Sequence, residues 1–156
     1  MTKPLNRSGP VAKALEIVGD RWSFLILLDL LRGLRRFSEF RQSLPDIATN
    51  VLADRLKLLE RHEIVERKLY NKHPPRAEYL LTRKGHELGV VAGALASWGS
   101  KYLPGDTELV HTSCGTPLRV AYYCEQCQAQ LPGAEVRLER SGRAAPGGNL
   151  PSGQAS

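Results

Sequence analysis

Between Pro10 and Arg61 the chain is cut into short helical segments by its own breakers, and this punctuation most narrows what it can fold into. Pro10 suits the first turn of a helix, and Val11, Leu15 and Val18 follow at helical spacing until Gly19. Asp20 is a natural N-cap for a second, all-round apolar helix through Trp22, Leu25, Ile26 and Leu30. Arg32 closes it, with Gly33 beyond as the C-terminal glycine. Ser38 is expected to cap a brief third helix carrying Phe40, Arg41 and Leu44, which Pro45 ends because proline cannot continue the hydrogen-bond ladder. Thr49 opens a fourth helix running to about Arg61. Its Leu52, Leu56 and Leu59 form a buried stripe while Asn50, Asp54, Lys57 and Arg61 face outward.

Past the fourth helix the period changes from helical to alternating. Ile64 to Tyr70 sets apolar Val65 and Leu69 against charged Glu66 and Lys68, and a second β-like stretch runs from Glu78 to Leu81. The turn between them, Asn71 to Arg76, is stiffened by Pro74-Pro75 and carries Lys72, His73 and Arg76. Thr82 then caps a long helix to about Leu103, with Leu88, Val91, Leu95 and Trp98 on one face. Gly89, Gly93 and Gly99 weaken it, so it needs packing support. The fold class that follows is mainly α with a small β-hairpin (α+β). Residues 1–104 form one domain, 105–132 a compact cysteine-rich segment, and 133–156, rich in Gly, Pro, Ser, Ala and Arg, a tail expected to be disordered.

Composition excludes several classes. With 42% hydrophobic and 24% charged residues the chain affords a core, and 6% aromatics leave packing to aliphatic side chains, which suits helices better than a β-sandwich. The longest apolar run, Phe24 to Leu28, falls far short of the roughly 18–20 residues that span a bilayer. MTKPLNRSGP offers no secretory signal, so a cytoplasmic protein is expected. The net charge of +6 is regional: half of the 22 basic residues fall between Arg32 and Arg76, where a polyanionic partner would meet them. Phosphate-loop glycine patterns and nucleophilic triads are missing, which argues against an enzyme. His62, His73 and His86 are isolated and read as surface residues.

Three helices followed by a hairpin with a basic tip is the order of a winged helix-turn-helix. The fourth helix would enter a major groove roughly 12 Å wide while the hairpin reaches the adjoining backbone or minor groove. The candidate contacts with double-stranded DNA are Arg36, Arg41, Thr49, Asn50, Asp54, Arg55, Lys57, Lys72, His73 and Arg76. Asn suits the adenine edge, and Arg41 and Arg55 suit phosphate. The competing explanation is an ordinary amphipathic helix with a solvated outer face, on which Lys57 and Arg61 pair locally with acidic neighbours.

Several stretches together carry a resemblance: Gly9-Pro10-Val11-Ala12-Lys13-Ala14-Leu15, Gly19-Asp20-Arg21-Trp22, Arg36-Phe37, Asn50-Val51-Leu52-Ala53-Asp54-Arg55-Leu56, Ile64-Val65-Glu66-Arg67, Glu78-Tyr79-Leu80-Leu81-Thr82 and Gly85. From about Pro10 to Tyr102 the chain resembles the HxlR-type bacterial transcriptional regulators. The resemblance implies a winged-helix homodimer, held by its terminal helices, that binds an inverted-repeat operator and regulates nearby genes. The face with Leu88 and Trp98 would then be a dimer seam with some core, or else the wall of an effector pocket; the sequence names no effector. Many members of that family place Cys-Pro at the start of the first helix, but Gly9 precedes Pro10 here, which excludes thiol sensing at that position.

The chain's three cysteines lie within one short segment. His111-Thr112-Ser113-Cys114 and Cys124-Glu125-Gln126-Cys127 each place two ligands across a two-residue gap, which lets one tight turn aim both at one ion. His111, Cys114, Cys124 and Cys127 are therefore expected to hold one structural zinc per chain, stapling a hairpin built from Thr116 to Tyr123 that is too small to fold unaided. Three reduced cysteines and an unrelated histidine are the plainer alternative. Two other functions stay open: a zinc-stapled protein-interaction module, and a metal- or redox-responsive sensor.

Overall fold

Asp20 begins the second helix as expected, its Oδ1 accepting the main-chain N–H groups of Trp22 and Ser23 at 3.1 Å each. The structure is a computed structural model describing residues 9–105 and 107–138. Its contacts divide the chain into two units, Met1–Leu118 and Arg119–Ser156. The first unit holds α1 (Pro10–Val18), α2 (Arg21–Leu31), α3 (Phe37–Ser43) and α4 (Thr49–Arg61). The hairpin strands β1 (Val65–Lys72) and β2 (Pro75–Leu81) follow, and then α5 (Arg83–Glu87) and α6 (Gly89–Tyr102). The second holds the hairpin β3 (Tyr122–Cys124) and β4 (Ala129–Leu131). The chain is thus a mixed α+β protein built around a helix–turn–helix, α3 and α4.

At the end of α2, Gly33 takes φ +97°. Its N–H donates to Leu30 and that of Leu34 to Asp29, both at 3.0 Å, the paired bonds that close a helix on a left-handed glycine. The core lies where α2, α3, α4 and the base of the hairpin meet. Ile26, Leu27, Phe40, Leu52, Leu56 and Leu59 are completely buried there, with Ile47, Ile64 and Val65 nearly so. Asp29 is buried too, and its Oδ1 accepts from Ser43 Oγ at 3.0 Å and Arg32 Nη1 at 3.1 Å, tying α2 to the end of α3.

Four expectations need correction. The third helix starts at Phe37 rather than after a Ser38 cap, because Glu39 reaches back so that its Oε2 accepts the N–H groups of Arg35 (2.7 Å) and Arg36 (2.8 Å). The hairpin turn is tighter than Asn71 to Arg76: Lys72 already pairs with Pro75. The helix expected from Thr82 to Leu103 is two helices. Thr82 Oγ1 does accept the Gly85 N–H at 3.1 Å, but the Leu88 N–H turns to Gly85 at 3.1 Å and α6 restarts at Gly89. Finally, the C-terminal hairpin forms around Cys124 and Cys127 rather than between Thr116 and Tyr123. Of the tail expected from residue 133, Gly133–Glu135 make a single 3-10 turn, and residues 139–156 lie outside the described residues. Among the described residues no helix is long and apolar enough to cross a membrane.

The Glu39 cap carries a pH signature. The main-chain N–H groups of Arg35 and Arg36 hold its carboxyl below its ordinary value of 4.5. A depressed folded-state pKa stabilises above the unfolded value and loses that contribution as pH falls through the folded one. Wild type is expected to resist urea better than Glu39→Gln at pH 7, with the two midpoints converging below about pH 4.5.

Candidate nucleic-acid interface

Leu52, Leu56 and Leu59 fix the rotational setting of α4, so the opposite side must face solvent. Thr49, Asn50, Asp54, Lys57 and Arg61 are all exposed there, four of them from the set read as DNA contacts. Arg41, on α3, is exposed and its Nη1 donates to Thr49 Oγ1, joining the two helices at the start of α4. Lys72, His73 and Arg76 are exposed at the hairpin tip.

Two of the expected contacts sit differently. Arg55 is half-buried, with Nε 3.4 Å from Asp20 Oδ1, so it links the body of α4 to the cap of α2. Burial by itself would raise the Asp20 carboxyl, but the Ser23 hydroxyl and N–H and the Arg55 charge outweigh it and hold the group below its usual value. Arg36 is engaged as well. Its Nε donates to Glu78 Oε1 at 3.1 Å and its guanidinium lies 4.8 Å from the centre of the Tyr70 ring. The Glu78 hydrogen bond, with Tyr70 second, pushes the Arg36 pKa further above its ordinary range.

The hairpin is held to the helix–turn–helix by more than its turn. The Tyr79 N–H donates to the Arg35 carbonyl at 2.7 Å, and Arg36 forms an isolated antiparallel bridge with Glu78. The Tyr79 ring meets Phe40 edge-on with centroids 6.3 Å apart. Between α3 and the hairpin lies an open groove lined by Arg36, Arg41, Arg67, Tyr70, Arg76 and Tyr79, among others. Arg67 and Tyr70 were not singled out from sequence. Strict alternation from Arg67 would put Tyr70 on the other face, but the pairing skips it between Leu69 and Asn71, and that irregularity re-aims the ring.

The cysteine-rich residues form two separate pairs. In the first unit His111 Nδ1 and Cys114 Sγ are 3.2 Å apart across a turn closed by the Gly115 N–H on the His111 carbonyl, with Gly115 at φ +70°. A hydrogen bond with Thr116 lowers the Cys114 thiol pKa. In the second unit Cys127, through its main chain and then its thiol, does the same for Cys124. The turn there is braced by the Gln128 side chain, which donates to the Glu125 carbonyl at 2.7 Å and accepts from the Tyr123 hydroxyl at 3.1 Å. Among the described residues no three His, Cys, Asp or Glu side chains are grouped to hold a metal ion.

With this geometry in place, similarity to known proteins is informative. Residues 17–107 match the model of the HxlR-like helix-turn-helix family. An uncharacterized HTH-type transcriptional regulator of Mycobacterium tuberculosis, Rv3095, is 34% identical over 133 residues, covering 83% of this chain and 84% of its own. Among solved structures, PA1607, described as a proposed transcription factor, superposes with a TM-score of 0.73 at 33% identity, covering 86% of this chain and 96% of its own. The redox regulator HypR in its reduced form gives 0.57 at 33% identity, covering 60% and 92%.

The Asp20–Arg55 pair yields a stability prediction. Exposed or half-exposed ion pairs contribute about 0.2–1 kcal/mol. Asp20→Asn keeps an N-cap acceptor and removes only the charge. A double-mutant cycle of Asp20→Asn with Arg55→Ala, read by urea denaturation, is expected to give a coupling energy of about that size.

Proposed function

The chain belongs to the HxlR-like helix-turn-helix family of transcriptional regulators, and from that premise we propose that it acts as a homodimer on an inverted-repeat operator, one α4 entering the major groove at each half-site. The observation that carries this is the division of α4: its Leu52, Leu56 and Leu59 side is fully buried, while Thr49, Asn50, Asp54 and Lys57 are left open. Asn50 offers a donor–acceptor pair for an adenine edge, Asp54 an acceptor for the cytosine amino group, and Lys57 a donor for guanine. Arg41 and the hairpin's Lys72 and Arg76 supply cations for phosphate, and His73 a ring N–H donor.

Two helices support a second copy as the partner. Val11 and Leu15 on α1, and Val90, Val91, Leu95, Trp98 and Tyr102 on α6, are half or more exposed, an apolar surface that a lone chain has no reason to show water. Two-fold symmetry would set the two α4 copies about 34 Å apart, one turn of DNA. The intracellular setting of DNA places the protein in the cytoplasm.

The zinc proposal rests on donor chemistry. His111 with Cys114, and Cys124 with Cys127, each share one turn, and Cys3His is a set that binds structural zinc. Bound metal would supply the fixed cross-link that such short turns lack. The cysteine pair Cys124 and Cys127 and the likeness to HypR, a redox regulator, favour a metal- or redox-responsive role over a bare interaction module.

Two measurements test these proposals. Genomic fragments captured by the wild-type protein supply the operator. Against it Asn50→Ala is expected to lose about 1–3 kcal/mol of discrimination over a random duplex while keeping its random-duplex affinity; equal losses on both would remove α4 from base reading. Native mass spectrometry is expected to show two chains carrying two zinc ions. Retention of metal by Cys124→Ser would overturn the ligand set, and a monomer would overturn the dimer.

A further inference from the structure

We infer that the corner from Thr82 to Gly85 is the joint that fixes α4 relative to α6, with Lys84 and Thr82 as positioning residues that set which half-site spacing the dimer accepts; this rests on the homodimer reading above. The C-terminal end of α4 is gripped rather than free. His62 caps it, and the N–H groups of Glu63 and Ile64 turn back to the Glu60 and Leu59 carbonyls at 2.9 Å each. Glu63 takes φ +56°, a left-handed conformation that a non-glycine residue keeps only where its surroundings hold it. That closure leaves the carbonyls of His62, Glu63 and Ile64 to find partners outside the helix. The corner between β2 and α5 supplies all three. Lys84 Nζ donates to His62 at 2.7 Å, Thr82 Oγ1 to Glu63 at 2.6 Å and the Thr82 N–H to Ile64 at 3.1 Å. The same Thr82 hydroxyl accepts the Gly85 N–H at 3.1 Å, so it caps α5 while it grips α4. Gly85 is buried so tightly against the Ile64 carbonyl that a Cβ has no room.

What the corner joins gives it a role. Burial of Leu52, Leu56 and Leu59 fixes how α4 is turned about its axis, but apolar contacts are non-directional and leave tilt and position along that axis soft. Hydrogen bonds are directional, and three of them at one end remove that freedom. The corner runs directly into α5. Leu88, packed on the core, then carries the chain into α6, with the Ala92 N–H on the Leu88 carbonyl at 3.0 Å. α6 bears the exposed Val90, Val91, Leu95, Trp98 and Tyr102 surface proposed above to meet the second copy. In a two-fold dimer the separation of the two α4 copies depends on where α4 sits relative to α6 in one protomer, and symmetry repeats any displacement in the other. One added base pair moves a half-site by about 3.4 Å along the duplex, so a joint of this kind decides whether the second half-site can be reached.

The experiment compares three duplexes by fluorescence anisotropy with the full chain: a captured operator, the same operator with one base pair inserted between its half-sites, and a single half-site. Wild type is expected to favour the native spacing. Lys84→Met keeps the apolar stem and removes the donor at an exposed position, so the fold persists. It is expected to shrink the affinity ratio of native to inserted spacing by about two- to tenfold, the range that one lost hydrogen bond permits, with half-site affinity unchanged. Lys84→Arg, which retains a donor, is expected to restore the ratio. Thr82→Val, which removes a donor to α4 together with the cap of α5, is expected to shrink it further. A wild-type ratio in Lys84→Met overturns the joint while leaving the homodimer reading intact. A uniform loss on all three duplexes overturns it too, since that marks a lost phosphate contact, as does a wild type indifferent to the inserted base pair. Wild type that gains no affinity from the second half-site sinks the homodimer reading itself.

Discussion

The packing of one face of α4 is the constraint on which the rest of this structure depends. Leu52, Leu56 and Leu59 are fully buried against a core built from Ile26, Leu27 and Phe40. Each such side chain is worth about 1.5–3 kcal/mol relative to exposure, more than any single exposed polar contact on the helix contributes. A helix advances 100° per residue, so these three leucines leave α4 no freedom to turn Asn50 or Asp54 inward. The direction in which the chemistry points is thus a by-product of apolar burial. The polar pairs then refine the position: Asp20 with Arg55 holds the body of α4 to the start of α2, and Arg41 with Thr49 holds its first turn to α3.

What the sequence makes legible is whatever local rules decide. The breakers at Gly19, Gly33 and Pro45, the Asp20 cap and the leucine stripe depend on neighbours within a few residues, and the observed helices follow them. Where the deciding partner is equally local but has a rival, expectation fails by a residue or two. Glu39 competes with Ser38 to start α3 and wins because one ionised carboxylate oxygen takes two N–H groups. The break at Leu88 belongs to the same class: Gly85 and Gly89 flank it, and two glycines so close weaken the helix where packing of Leu88 against the core asks for a bend.

Long-range pairing is what the sequence hides. Counting arginines between Arg32 and Arg76 reveals a basic region but treats all of its members alike. The fold separates them through partners far along the chain: Arg36 meets Glu78, Arg55 meets Asp20, and among the described residues Arg67 and Arg76 meet no carboxylate. Arg55 therefore has a partner on α2 that its place in the sequence does not announce. Arg67, which alternation alone made an ordinary strand residue, joins a groove. That groove exists because the hairpin is sewn to the chain before α3 by the Arg35–Tyr79 bond, a contact no periodicity could announce.

The cysteine segment follows a different logic from the helices. Its hydrophobic side chains, Leu118, Val120, Tyr122 and Tyr123, remain substantially exposed, so neither turn has a core to hold it. Order there comes from tight hydrogen bonding at two knuckles, with Gly115 and Gln128 both in left-handed conformations. Gln128 adopts φ +51° without a glycine's freedom, and its own side chain offsets the strain by bonding Glu125 and Tyr123. The family model ends at residue 107, yet the match to the mycobacterial regulator is long enough to extend past it. With Leu118, Val120, Tyr122 and Tyr123 outside any core, the two turns keep their shape through hydrogen bonds between near neighbours, so the order of this segment is local rather than a product of burial.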